Sequence, residues 1–298
     1  MSGDRSAGAR VPGVVKSGAQ VRQPPLAARL AAHVLVYGVA LTMLVPFAWM
    51  VITSLKTPAE ANARVSLGTL LPDRPVFENY AAAVTDANLD RFYLNSLVVA
   101  VVTTVLAVAH NALAGYAFAK LRFRGKRVGF ALTLATMMLP AQCFFIFAVI
   151  FASRLDLYDN LQAMIVPFLA SGFGVFYMRQ AITSVPDSII EAGRIDGMRE
   201  LDLFWAVVRP LTWPAISALA IFTFVNSWNN FFWPLVVIDS ERFKTLPLAV
   251  AELQSGLYVQ SYPVVMAATT LLVLPLICVF FLLQRAFVRG LTLGGVKD

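Results

Sequence analysis

The chain has 298 residues, 58% of them hydrophobic and only 14% charged, with a formal net charge of +7 and a mean hydropathy of +0.71. A soluble domain carries about a quarter charged residues, so this composition excludes an ordinary water-soluble enzyme and favours one helical membrane bundle. The positive charge is divided among short segments between apolar runs, which excludes a nucleic-acid-binding patch.

In chain order, residues 1–29 are rich in Gly, Ala, Pro and basic residues and are predicted to form a disordered cytoplasmic tail. The apolar run that follows exceeds the 7–15 residues of a cleaved signal core. No Lys, Arg, Asp or Glu occurs in 30–55, 92–119, 128–153, 160–178, 210–238 or 253–284. A membrane-crossing helix needs about 20 mostly apolar residues. Backbone polar groups in lipid must be paired internally, so each run predicts a helix rather than a barrel strand. The fold class is therefore all-α and polytopic. Six transmembrane helices are expected near 31–54, 93–119, 128–152, 160–178, 212–237 and 263–284, forming one transmembrane domain over 30–290. A short cytoplasmic tail, 291–298, follows. Pro140, Pro167, Pro214, Pro234, Pro263 and Pro275 mark bends or ends of these spans.

Basic residues orient the bundle. With both termini cytoplasmic, the inner segments 1–29, 120–127, 179–209 and 285–298 hold 17 of the 24 Lys and Arg. The bias is strongest at 120–127, KLRFRGKR. This is the positive-inside pattern. The outer segments 55–92 and 239–262 are mildly acidic and long enough to present a docking surface. Cys143 and Cys278 fall in predicted spans, without a CxxC pattern or flanking His, and read as apolar filler rather than metal or redox groups.

One inner segment departs from the apolar pattern: EAGRIDGMRELDLFWAVVRP, 191–210. Pro186 suits a helix first turn and Asp187 the positive end of the helix dipole. A helix is predicted from there to about Ile195, stopped by Gly197 in a left-handed cap. Leu201, Phe204, Trp205 and Val208 then recur at i, i+3, i+4, i+7, predicting a second amphipathic turn against the bundle. Ala192 and Gly193 offer a bare face for close approach, flanked by Glu191 and Asp196 as charge-assisted acceptors. A solvated loop helix and a docking plug both fit these residues.

The segment resembles the EAA loop of ABC-importer permeases of the carbohydrate-uptake class, related to the maltose and glycerol-3-phosphate permeases. Glu191-Ala192-Gly193, then Gly197 after three intervening residues, then Val207-Val208-Arg209-Pro210 after nine more, keep that family's spacing. Gly193, Met198 and Arg209 depart from its usual residues. Phe77-Glu78-Asn79-Tyr80, Leu94-Asn95-Ser96, Ala114-Gly115-Tyr116-Ala117-Phe118-Ala119, Trp228-Asn229-Asn230-Phe231, Thr245-Leu246-Pro247 and Arg289-Gly290-Leu291-Thr292 are similar to the same class. The resemblance implies a cytoplasmic coupling helix between spans 4 and 5 that seats in an ATPase subunit. Glu191, Ala192, Gly193, Asp196, Gly197, Pro210 and Pro214 would form it. It also implies a second homologous permease, an ATPase dimer, an external solute-binding protein and a prokaryotic plasma membrane. No GxxxxGK[ST] loop occurs in the sequence, so ATP and Mg²⁺ are expected on the partner ATPase, with no cofactor in this chain.

Span 5 contains NSWNNFFWPL, 226–235. Asn226 and Asn230, four apart, would share a helix face. With Asn229, Trp228 and Trp233 they supply the hydrogen bonds and aromatic faces that bind a sugar; interhelical packing is the other reading of the same residues. His110, in span 2, reads as a packing residue. An ion-coupled carrier or channel would place charges within the membrane, and all six spans lack them. A membrane enzyme would need a motif such as GxSxG or HExxH, and neither occurs. The expected function is carbohydrate import through a permease subunit, with glycerol-3-phosphate or a related polyol phosphate as the alternative cargo.

Overall fold

The computed structural model describes residues 25–64, 66–85, 88–140, 143, 145–254 and 261–295. The tail expected over 1–29 lies outside the described residues up to residue 24, and the expected C-terminal tail does so over 296–298. Among the described residues the structure is helical, with no strand. Its α-helices are α1 (Leu26–Ser54), α2 (Pro58–Asn62), α3 (Glu78–Thr85), α4 (Leu89–Lys120), α5 (Lys126–Met138), α6 (Phe145–Arg154), α7 (Leu161–Ile165), α8 (Gly172–Thr183), α9 (Asp187–Ile195), α10 (Glu200–Leu203), α11 (Arg209–Leu211), α12 (Trp213–Trp228), α13 (Phe232–Val237), α14 (Leu246–Gln254) and α15 (Tyr262–Gly295). The chain divides into two compact units, Met1–Ala48 and Trp49–Asp298. The first contains most of α1, whose 29 residues are apolar enough to cross a membrane.

In the second unit α4 is the central post, packed against α8 on one side and α12 on the other, with α15 beyond α12. Small residues on α4, Ala100, Ala107 and Ala112, are at most 2% exposed and let these neighbours approach closely. Large apolar side chains instead point outward from α5, α6 and α15: Val128, Leu132, Phe147, Ile150, Ile277 and Phe281. An apolar exterior over a close-packed interior is what a bilayer stabilises and water does not.

Among the described residues, three helices are long and apolar enough to cross a membrane: α1, α4 and residues Tyr262–Leu282 of α15. The other expected spans are broken, each for a local reason. The continuous helix expected over 128–152 stops at Met138, because Leu139 precedes Pro140 and is driven to extended φ −97°, ψ 131°. It resumes at Phe145. The fourth run bends by 44° between Leu161–Phe168 and Gly172–Thr183, after Pro167. The helix expected over 212–237 ends at Trp228 and restarts at Phe232. Pro234 has no N–H for the Asn230 carbonyl four residues earlier and its ring would crowd that carbonyl, which favours the interruption seen there.

The segment that follows α1 is held by polar side chains. Thr57 and Glu60 form a reciprocal capping box at the start of α2. Asn79 on α3 donates from one Nδ2 to the carbonyls of Ser54 and Lys56, at 2.8 and 2.9 Å. Tyr80 OH meets Ser54 Oγ at 2.7 Å. The Phe-Glu-Asn-Tyr stretch thus pins α3 to the end of α1.

Candidate functional site

Between α8 and α12 the chain forms a helical hairpin, α9 and α10, joined by a Gly turn. Pro186 stands just before α9 with φ −59° and ψ 134°. Asp187 in the first turn complements the helix dipole and accepts a hydrogen bond from Lys120 Nζ at 2.6 Å. That bond, with the Lys120 charge, holds the Asp187 carboxyl below its ordinary range. The Lys120 side chain is only 5% exposed and also donates to the Val185 carbonyl at 2.6 Å. Across the adjoining loop the Lys126 amine is pushed down, first by burial and then by the nearby Arg179 and Arg122 charges.

α9 ends in a Schellman motif. Met198 N–H donates to Gly193 O at 3.0 Å and Gly197 N–H to Arg194 O at 3.1 Å, with Gly197 at φ +81°. That conformation strains any residue with a β-carbon, which is why glycine stands there. Ile190 and Gly193 face inward, whereas Glu191, Ala192, Ile195 and Asp196 are exposed.

The expected bare Ala192–Gly193 face is therefore divided. A β-carbon on Gly193 would overlap Leu203 Cδ2 and come within 3.3 Å of Met198 Sδ. Gly193 makes room for its own hairpin partner, while Ala192 looks outward. The helix period explains the split, because adjacent residues lie about 100° apart.

The second helical face also differs from expectation. Leu203, Phe204 and Val208 are at most 2% exposed, but Leu201 is 61% and Trp205 50% exposed. Residues Phe204–Val208 form a π-turn, with Arg209 N–H donating to Phe204 O. The buried face is rotated towards Leu203, so Leu201 and Trp205 fall outside it, Leu201 already before the π-turn. The cause of the π-turn is Pro210, which lacks the N–H that the Ala206 carbonyl would take and whose ring crowds that carbonyl. Arg209 stacks over Trp205 and Trp213, at 5.3 and 5.7 Å from the ring centroids. Pro210 and Pro214 lie in the first turns of α11 and α12, on either side of an 85° bend.

Three side chains hold the hairpin to α4; the sequence set Tyr116 within one stretch but paired none of them. Glu200 Oε1 accepts from Arg194 Nε at 2.8 Å, and its Oε2 accepts from Tyr116 OH at 2.5 Å. The Arg194 contact leads in keeping the Glu200 carboxyl below its ordinary range, burial opposing it and Tyr116 adding to it. Tyr116 is 3% exposed and its ring packs on Phe204 with centroids 5.7 Å apart. The sequence signal for Arg194 and Glu200 was their spacing of six across a turn; Tyr116, 84 residues from Glu200, gave none.

The candidate substrate residues do not form one surface. Trp228 is 1% exposed, donates from Nε1 to Leu272 O at 3.0 Å, stacks on Phe224 and meets Tyr93 edge-on. Trp233 is 2% exposed and donates to Ala163 O at 2.8 Å. Both rings are packed inside the unit, with their polar atoms occupied. Asn230 lies past the end of α12, so it does not share a helix face with Asn226; its Oδ1 accepts from Trp233 N–H at 3.3 Å. Asn226 and Asn229 are exposed. His110 lines a separate crevice of about 360 Å³ with Thr133, Thr136 and Ser171.

Residues 111–293 match the family described as the binding-protein-dependent transport system inner membrane component. The chain belongs to this family. It is 33% identical over 273 residues to the arabinooligosaccharides transport system permease protein of Bacillus subtilis (strain 168), covering 88% of this chain and 96% of that one. It is 34% identical over 253 residues to the lactose transport system permease protein of Rhizobium radiobacter, covering 85% and 90%. The fold matches the crystal structure of a bacterial ABC transporter involved in the import of the acidic polysaccharide alginate. The TM-score is 0.77 at 26% identity, covering 89% of this chain and 99% of the other. The protein is thus a membrane permease of an ABC importer, a transport subunit whose family works with an ATPase and a solute-binding protein.

Proposed function

We propose that the chain translocates a neutral carbohydrate delivered by an external solute-binding protein, driven by a cytoplasmic ATPase dimer that grips α9. Six crossings, three of them interrupted or bent near a proline, would pair with those of a second homologous permease, with both termini cytoplasmic. The observation that carries the docking assignment is the outer face of α9. Ile195 is 86% and Ile189 42% exposed on a polar, non-spanning segment, with Ala192 between them and Glu191 and Asp196 at the edge. An apolar ridge with acidic flanks, outside the bilayer, fits a groove on a partner.

Chemistry supports this reading over the alternatives. ATP and Mg²⁺ belong to the partner, because this sequence carries no phosphate loop, and no enzymatic activity is assigned to the chain. The spans carry no formal charge, which disfavours an ion-coupled carrier. It also favours a neutral sugar over glycerol-3-phosphate or a related polyol phosphate, whose phosphate would be matched by a cation along the path. Asn226 and Asn229 are the pathway residues that remain open to solute. The likeness to permeases of arabinooligosaccharides and lactose agrees with this cargo class.

The test is reconstitution of the complex with Gly197→Pro or Glu191→Lys. Gly197→Pro removes the φ the turn requires, and Glu191→Lys reverses a charge on the docking rim. Substrate-stimulated ATP hydrolysis and uptake should both fall by at least tenfold, about 1.4 kcal/mol of lost coupling. Wild-type rates for both would defeat the assignment. Labelling of Ile195→Cys by an impermeant maleimide from the outside of intact cells would defeat the orientation.

A further inference from the structure

α4 is held by polar clasps at both ends. At the inner end, Tyr116 OH donates to Glu200, and Lys120 Nζ donates to Val185 O and Asp187 Oδ1. These bonds join α4 to both helices of the hairpin. At the outer end, Asn95 Nδ2 donates to the carbonyls of Arg242 and Lys244, at 2.9 Å each. Beside it, Ser96 Oγ, in a residue 3% exposed, accepts from Leu246 N–H at 2.7 Å. Asn95 and Ser96 thus hold the turn between α13 and α14.

The helix between the clasps has no internal proline, unlike α1 and α15, and no break, unlike the α7–α8 and α10–α12 runs. From Asn95 to Lys120 it is one uninterrupted helix about 38 Å long. The outer clasp grips backbone groups of the turn, and the inner one combines the Val185 carbonyl with side-chain bonds to Asp187 and Glu200, so each fixes a chain segment at more than one point.

From these two clasps we infer that α4 is the transmission rod of the permease. Tyr116, Lys120, Asn95 and Ser96 are positioning residues that make displacement of α9 move the outer 240–246 turn. A close-packed helix between fixed ends shifts as a body instead of deforming locally. Three stretches of the sequence acquire one purpose: Asn95-Ser96 and Thr245-Leu246 form the outer clasp, and the Tyr116 stretch forms the inner one.

The inference rests on α9 being the ATPase-facing helix, and the experiment separates the two. The importer, comprising this chain, its partner permease and its ATPase, is assembled in lipid nanodiscs on a Cys143→Ala, Cys278→Ala background. Arg242→Cys, exposed in the outer turn, is the reporter, and a cross-link from Ile195→Cys to the ATPase reports docking. Trapping with ATP and vanadate should change maleimide labelling of the reporter by about fivefold or more. Tyr116→Phe with Glu200→Gln, or Asn95→Ala with Ser96→Ala, should reduce that change to under about twofold while ATP hydrolysis continues. All four substitutions together should do no more than either pair, because one rod serves both ends. Lys120→Met should reduce the change in the same way, while Lys120→Arg, which keeps donors for Val185 O and Asp187, should retain it, a rescue that a mere loss of packing would not show. With the cross-link formed, an undiminished response in either pair, or losses that multiply in the combination, overturns the rod alone. Without the cross-link, the docking assignment and the rod fall together.

Discussion

Leu203 fills the space that a side chain on Gly193 would need: a β-carbon there would overlap Leu203 Cδ2. The two residues lie on opposite arms of the hairpin, ten apart, and Leu203 is fully buried. Gly193→Ala gains about 1 kcal/mol of helix propensity and meets an overpacking cost of about 1–3 kcal/mol. The net effect is a loss of about 0–2 kcal/mol. Gly193→Ile adds a branched chain that this space cannot hold and should open the hairpin. Pairing Gly193→Ala with Leu203→Val should recover stability beyond the single alanine variant. Hydrogen exchange of the α9 amides in the purified complex reads all three; an Ile variant as protected as wild type would contradict the packing.

Acid should loosen the same hairpin. The Glu200 and Asp187 carboxyls are held below their ordinary values of 4.5 and 3.8, the first chiefly by Arg194 and the second by Lys120. A group whose folded pKa is depressed binds fewer protons folded than unfolded. Its stabilisation is complete above the ordinary value and drains as pH falls towards the folded one. Protection of α9 and α10, corrected for intrinsic exchange, should therefore stay level from about pH 8 to about pH 5.5 and decline below about 4.5. Glu200→Gln should shrink that decline without abolishing it, since the Lys120–Asp187 pair remains. A loss of protection centred near neutrality would show that other groups govern the hairpin.

What the sequence disclosed here was local. Apolar runs marked the membrane helices, Gly197 marked the end of α9, and Asn79 and Tyr80 lay in a stretch already set apart. The prolines announced interruptions, but not which bonds would close around them. Leu201 and Trp205 were assigned to the buried face because periodicity gives an apolar stripe but not which side of the helix meets the bundle, and Leu203 turns that side away from them. Asn226 and Asn230 were placed on one face because a single helix was assumed through Pro234. Tyr116, Lys120, Trp228 and Trp233 take partners 44 to 84 residues away, and no periodicity carries information over that distance.

Trp233 shows how such a distant partner is selected. In a continuous helix the Ala163 carbonyl would accept from residue 167, but that residue is Pro167 and has no N–H. Trp233 Nε1 supplies the missing donor from α13. Trp233→Phe keeps most of the ring, and with it the contacts to Phe145 and Phe168, yet leaves that carbonyl without a protein donor. The expected cost is about 1–3 kcal/mol, read as a lower thermal-unfolding midpoint of the purified complex with the uptake KM unchanged. Asn226→Ala and Asn229→Ala should do the reverse, raising KM about threefold to tenfold for a lost hydrogen bond to substrate at unchanged midpoint. If the tryptophan variant instead raises KM and leaves the midpoint alone, its indole belongs to the sugar path and not to the joint between α7 and α13.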